Sequence, residues 1–216
     1  MPAPIDLFAL IKAGDEDGIR AALEADPGVA SSVNEAGISA VLFALYHRRR
    51  DLADVLLSAD PDLNVFDAVA AGERDIALSL LDDAPEFVGA RGADGFTPLH
   101  LAAFFSHLDL AEALLSRKAD PDAVAENPMR VRPIHSAAAA GSTPIVAALL
   151  GAGAAVDAAQ EGGFTALHAA ALHGNGEMVR LLLDHGADPA RPTGDGRTAR
   201  DLAASKKHHA VVAMLG

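Results

Sequence analysis

The stretch "GFTPLHLAAF", residues 95–104, places a histidine, His100, where no metal or catalytic motif accounts for it. The phrase returns as "RPIHSAAA" from Arg132 and as "TALHAAAL" from Thr165, so His100, His135 and His168 lie 35 and 33 residues apart. A further step of 33 reaches Asp201 in "TARDLAA". Stepping back assigns Leu42, Phe66 and Phe8 to the same slot, which makes seven units. Self-similarity at this period is the signature of stacked supersecondary units, each too small to bury its apolar face alone.

Each unit carries a second apolar signature after the slot. Ile145, Val146, Leu149 and Leu150 follow His135, Met178, Val179, Leu182 and Leu183 follow His168, and Leu52, Ala53, Leu56 and Leu57 follow Leu42. Spacing of i, i+1, i+4, i+5 is one stripe of an α-helix. The first segment of each unit is short and Ala-rich, as in "HSAAAAG", and reads as a helix sandwiched between neighbours. Gly14, Gly72, Gly141 and Gly174 stand six positions past the slot, where a helix end takes a left-handed residue. "GAGAAVDA" and "HGADPARP" then supply a stop and a turn after the second helix.

The "D-G-x-T-P-L-H-x-A-A" run from Asp94 to Ala103 and "L-L-L-D-H-G-A-D" from Leu181 to Asp188 resemble the repeat of ankyrin proteins, in particular short soluble bacterial-type members. The likeness is strong from Asp94 to Pro189 and weaker before it. It implies an all-α ankyrin-repeat solenoid of about seven stacked helix pairs with hairpin fingers. As one domain, it divides into an N-terminal cap unit 5–33, repeats 34–63, 64–93, 94–127, 128–160 and 161–193, and a C-terminal cap 194–216. The weaker half has a regularity of its own, because "LFALIKAGDED" at Leu7, "GISAVLFAL" at Gly37 and "DLADVLLS" at Asp51 recur 58 residues later. A tandem duplication of a pair of units follows. The units at Ile5 and Asn64 end in "EADPG" and "DDAPE", where the residue before Pro ends a helix, and the Asn64 unit is expected to lack a regular finger in front.

Thr97 is placed to cap a helix, with Pro98 at the first helical position and His100 at the third. The resemblance implies that this imidazole clamps the Thr hydroxyl and a neighbouring turn, a structural role. The adjacent His208 and His209 diverge by about 100° on a helix and read as a solvated terminal face. His173 and Glu177 have i, i+4 spacing, but Gly174 breaks the helix between them, so no metal site is expected. "GAGAAVD" lacks the Lys and Ser/Thr of a phosphate loop. No catalytic residue, metal or cofactor is indicated.

Half of the residues are apolar, only 4% are aromatic, and Cys and Trp are absent. The formal charge of −13 repels phosphate backbones and anionic lipid surfaces. No nucleic-acid or membrane partner is expected. With no signal-peptide pattern at the N-terminus, a cytoplasmic monomer is the expectation. The resemblance implies a non-catalytic module that holds a protein partner on a concave face. The alternatives are a stably bound regulatory subunit of an enzyme and a metal-dependent activity near His173. Residues expected at the contact are Ile38, Phe96, Met129, Arg130, Val131 and Phe164 in the fingers, with Tyr46, Phe104, Phe105, Leu172 and His173 closing the first helices. Two departures from the repeat add to the map. "AENPMRVRPIH" is a finger two residues longer than standard, carrying Arg130 and Arg132, and "YHRRRD" puts Arg48 at the usual glycine position.

Overall fold

Short Ala-rich segments closed by a left-handed residue, each followed by a striped segment, fold as antiparallel helix pairs. The computed structural model describes residues 6–216 and contains seven such pairs among them. They are α1 (Leu7–Ala13) with α2 (Glu16–Ala25), α3 (Ala40–Tyr46) with α4 (Arg50–Leu57), and α5 (Val65–Ala71) with α6 (Arg74–Asp83). Then come α7 (Pro98–Phe104) with α8 (Leu108–Ser116), α9 (Pro133–Ala140) with α10 (Thr143–Gly151), α11 (Ala166–His173) with α12 (Gly176–Asp184), and α13 (Ala199–Ser205) with α14 (His209–Met214). The chain divides into two compact units, the first running to Phe87 with Gly92–Asp94 and the second holding Val88–Arg91 and Gly95–Gly216. The first contains α1–α6, the second α7–α14. Ile5, where the first cap unit was expected to begin, lies outside the described residues.

Within each unit the first helices stack on one another, as do α8, α10, α12 and α14 in the second. The stripes form the core: Leu110, Leu114, Ile145, Leu149 and Leu182 are fully buried, each stabilising the stack by about 1.5–3 kcal/mol of apolar transfer. Gly141 and Gly174 close their first helices at φ 76° and 71°. At Gly174 an added Cβ would come within 2.6 Å of the His208 ring. Arg48, Ser106 and Lys207 hold the same turn position with φ of 57°, 63° and 62°, a conformation that costs a side-chain-bearing residue roughly 1–2 kcal/mol.

The 58-residue offset extends to the element boundaries. Adding 58 to α1, α2 and α3 gives α5, α6 and α7 end for end, and the 3-10 turn Pro27–Ser31 has its counterpart at Pro85–Val88. No hairpin precedes α5. The chain from Ser58 to Leu63 instead carries a tie from the Asp62 amide to Ser31 Oγ at 2.9 Å.

The other fingers are turns without named strands among the described residues, four of them closed by one or two backbone bonds; the bridge Val33–Ser39 is isolated. The Asn34 amide bonds the Ile38 carbonyl, Ala125 bonds Val131, Gln160 bonds Phe164, and Thr193 bonds Arg197. In the second unit each finger is tied to the one before it, by Glu126 to Gly95, Glu161 to Met129, and Gly194 to Gly162.

Two readings of the sequence need correction. The slot three residues past the cap holds Asp67 and Ala9, where Phe66 and Phe8 were expected, because Asn64 and Asp6 are the N-caps of α5 and α1. The register is set by the cap, and a phenylalanine beside it misleads a count made by apolar type. His208 is not part of a solvated face: it is half-buried, and its Nε2 reaches the Leu172 carbonyl at 3.2 Å.

Candidate functional site

The repeated histidines hold the second unit's fingers in place. His100 is buried, with Nδ1 2.8 Å from Thr97 Oγ1 and accepting the Thr97 amide at 3.3 Å. An Nδ1 that accepts an amide carries no proton, so Nε2–H donates, here to the Val131 carbonyl at 3.1 Å in the next finger. His168 repeats this arrangement with Thr165 and the Arg191 carbonyl at 3.0 Å. His135 keeps the amide bond to Arg132 at 2.9 Å and the bond to the Ala158 carbonyl at 2.9 Å. Its cap is Arg132, whose Nε bonds the Asp122 carbonyl. Burial pushes His135 and His168 below the ordinary histidine value, which keeps both rings in the neutral form the clamp needs.

In the first unit the same slot works differently. Asp67 is buried at the start of α5 and accepts from Ser39 Oγ, the N-cap of α3, at 2.6 Å. A carboxylate thus ties consecutive first helices where the second unit uses an imidazole. Burial raises the Asp67 carboxyl above its ordinary value.

The clamps also shape a surface. The Phe96 and Phe164 rings lie over His100 and His168, with centroids 5.5 and 5.3 Å apart. Between these two rings the second unit opens an apolar groove of about 290 Å³. Met129 and Val131 complete its finger wall, Ser136, Ala139 and Ala169 form the helical floor, and Phe104, Leu172 and His173 border it. Met129 is 57% exposed and Phe104 46%, large apolar surface left to solvent.

Seven of the residues singled out from the sequence therefore line one groove: Phe96, Phe104, Met129, Val131, Phe164, Leu172 and His173. Val131 differs from the expected exposed contact in being buried, contributing wall rather than rim. Phe105 does not line the groove; it closes α7 half-buried, with its ring edge-on to Phe104. Arg130 is exposed and lines a neighbouring cleft with Arg91, Glu126 and Asn127. Ile38 and Tyr46 belong to the first unit, where the Tyr46 hydroxyl donates to Asp94 at 2.5 Å and is held well above its ordinary pKa by burial. The floor residues Ser136, Ala139 and Ala169 were not singled out, because small residues on a helix read as packing, nor was Gln160, whose polar side chain in a finger reads as solvent face.

Gly174 separates His173 from Glu177 as expected, and among the described residues no three His, Asp or Glu side chains form a metal-binding group. Of the three arginines, Arg49 pairs with Asp51 and Arg50 with Asp54, both at 2.7 Å.

The family description "Ankyrin repeats (3 copies)" matches residues 134–216, and "Ankyrin repeat" matches residues 94–126. The chain belongs to the ankyrin-repeat family. Relatives include mouse "Ankyrin repeat and SAM domain-containing protein 6", 31% identical over 74% of this chain and 15% of that protein. The Drosophila melanogaster "Tyrosine-protein kinase Shark" is 33% identical over 63% of the chain and 14% of its own length. Human "Ankyrin repeat and SOCS box protein 11" is 37% identical over 51% of the chain and 33% of its own length. The chain thus spans a third or less of each of these proteins. Ankyrin repeats generally mediate protein–protein interaction without catalysis. No helix among the described residues is long and apolar enough to cross a membrane.

Proposed function

We propose that this ankyrin-repeat chain is a non-catalytic protein-binding module, and that its second unit takes an apolar side chain of the partner into the groove between Phe96 and Phe164. The observation that carries this reading is the groove itself. Its walls are Phe96, Met129, Val131 and Phe164 and its floor is Ser136, Ala139 and Ala169, so a side chain entering it meets mostly carbon, the setting in which interface anchors contribute most. Exposed Met129 and Phe104 flank it, and large exposed apolar surface is costly unless used. The walls are also preorganised, since each phenylalanine rests on a histidine whose other contacts are fixed. Little conformational entropy is then lost on binding. The site on Ile38 and Tyr46 is a separate matter of the first unit and is not needed for this reading.

Site-specific photo-cross-linking tests it. A photoreactive residue replacing Ala139 should capture one partner segment centred on an apolar side chain, whereas the same residue at the exposed Glu112 on α8 should not. Equal capture from both positions would contradict the assignment.

A further inference from the structure

One finger beside the groove breaks a rule the others keep. In the other four hairpin fingers the residue two before the helix cap is glycine: Gly37, Gly95, Gly163 and Gly196, with φ of 76°, 80°, 76° and 84°. The fifth finger places Arg130 there, at φ 49°. The conformation is enforced locally, by the Arg130 amide on the Asn127 carbonyl at 3.1 Å and the Met129 amide on Asn127 Oδ1 at 3.2 Å. Glycine meets that demand without strain, whereas arginine takes it on with a long cationic side chain.

That side chain is exposed, and no hydrogen bond or ion pair to it occurs among the described residues, unlike Arg132 on Asp122 or Arg91 on Glu126. Its sequence neighbours Met129 and Val131 both line the groove. Arg91 and Glu126, which share the adjoining cleft, neutralise each other at 3.3 Å, so Arg130 is the remaining charge of that cleft. The acidity of the chain lies elsewhere in the sequence: the first unit has 18 Asp and Glu against 6 Lys and Arg, the second 12 against 11. The unit that carries the groove is close to neutral and does not itself repel an anion.

We infer that the groove selects a partner segment in which an apolar anchor is followed or preceded within a few residues by a carboxylate, with Arg130 as the specificity-determining residue. This rests on the reading of the groove as a protein-binding site. The apolar anchor supplies affinity, and the exposed Arg130–carboxylate pair supplies selection, an effect of about two- to fivefold for a solvent-exposed contact.

A displayed library of twelve-residue peptides, each with one fixed Leu, Met or Phe among random flanks, is selected on the full-length chain. Asp and Glu should be enriched near the anchor. Arg130→Gly, which restores the residue used by the other fingers and keeps the fold, should retain the anchor preference and lose the acidic one. Arg130→Glu should turn the flank preference to Lys and Arg. Selection of the same flanks by the chain and by Arg130→Gly, or enrichment of basic flanks by the unaltered chain, would overturn the inference while leaving the groove as a binding site. Absence of any apolar-anchored binder, or binding unchanged by Ala139→Arg, would overturn the protein-binding reading as well.

Discussion

His168→Ala removes a buried clamp whose partners are all identified. The imidazole accepts the Thr165 amide at 3.1 Å, meets Thr165 Oγ1 at 2.8 Å, and donates to the Arg191 carbonyl at 3.0 Å. Thr165 is 2% exposed, so its amide is left without a partner and without water. That stranding costs about 1–3 kcal/mol, and the lost bond to Arg191, which is exposed and can turn to solvent, adds about 1 kcal/mol. The expected destabilisation is roughly 2–4 kcal/mol. Thr165→Val removes only the hydroxyl and should cost about 1 kcal/mol. Urea denaturation followed by circular dichroism measures both, and amide exchange localises the loss to the Gln160–Phe164 finger and the turn at Arg191. The clamp also predicts a pH dependence. Folding holds His135 and His168 below the ordinary value of 6.5, so the unfolded chain binds more protons in that window. Their contribution is complete above pH 6.5 and is lost as the pH falls from there through the folded values, by up to about 1.4 kcal/mol per pH unit per histidine. His168→Ala should flatten that slope. A variant within 0.5 kcal/mol of the unaltered chain, by the roughly 1 kcal/mol scale of a single hydrogen bond, would refute the clamp.

Arg48→Gly should stabilise the chain by about 0.5–1 kcal/mol in the same denaturation assay, because Arg48 holds φ 57° at a turn position where α1, α5, α9 and α11 use glycine. Gly174→Ala should destabilise it, as φ 71° and a Cβ 2.6 Å from the His208 ring compound one another. Ser39→Ala should cost about 1–3 kcal/mol at neutral pH by leaving the buried Asp67 carboxylate without its hydroxyl donor. Because folding raises the Asp67 pKa, its stabilising contribution is full below the ordinary value of 3.8 and is lost as the pH rises through the folded value. Asp67→Asn should remove that limb of the stability profile.

What the sequence made legible was local chemistry repeated at a constant interval. A cap followed three residues later by His, with Pro98 or Pro133 opening two of the helices, and a glycine stop after α9 and α11 each specify a backbone state within a few residues, so α7, α9 and α11 could be placed without knowing what packs on them. Asp67 escaped because its role is set by Ser39, 28 residues away. No spacing rule distinguishes such a carboxylate from a solvated one. The groove was half legible. Phe96, Phe164 and Leu172 follow from the repeat register, whereas Ala139 and Ser136 matter through what they leave empty, and Phe105 turns aside because it closes its helix in a non-helical conformation.

The central claim is that partner binding by the second unit occurs in the groove. Methyl-labelled chain titrated with an apolar-anchored peptide from the library tests it most directly. The account predicts chemical-shift changes concentrated at Met129, Val131, Ala139, Ala169 and Leu172, abolished by Ala139→Arg in a chain that still melts cooperatively. Changes centred on α10 and α12, or on the first unit, with the groove methyls silent, would contradict it.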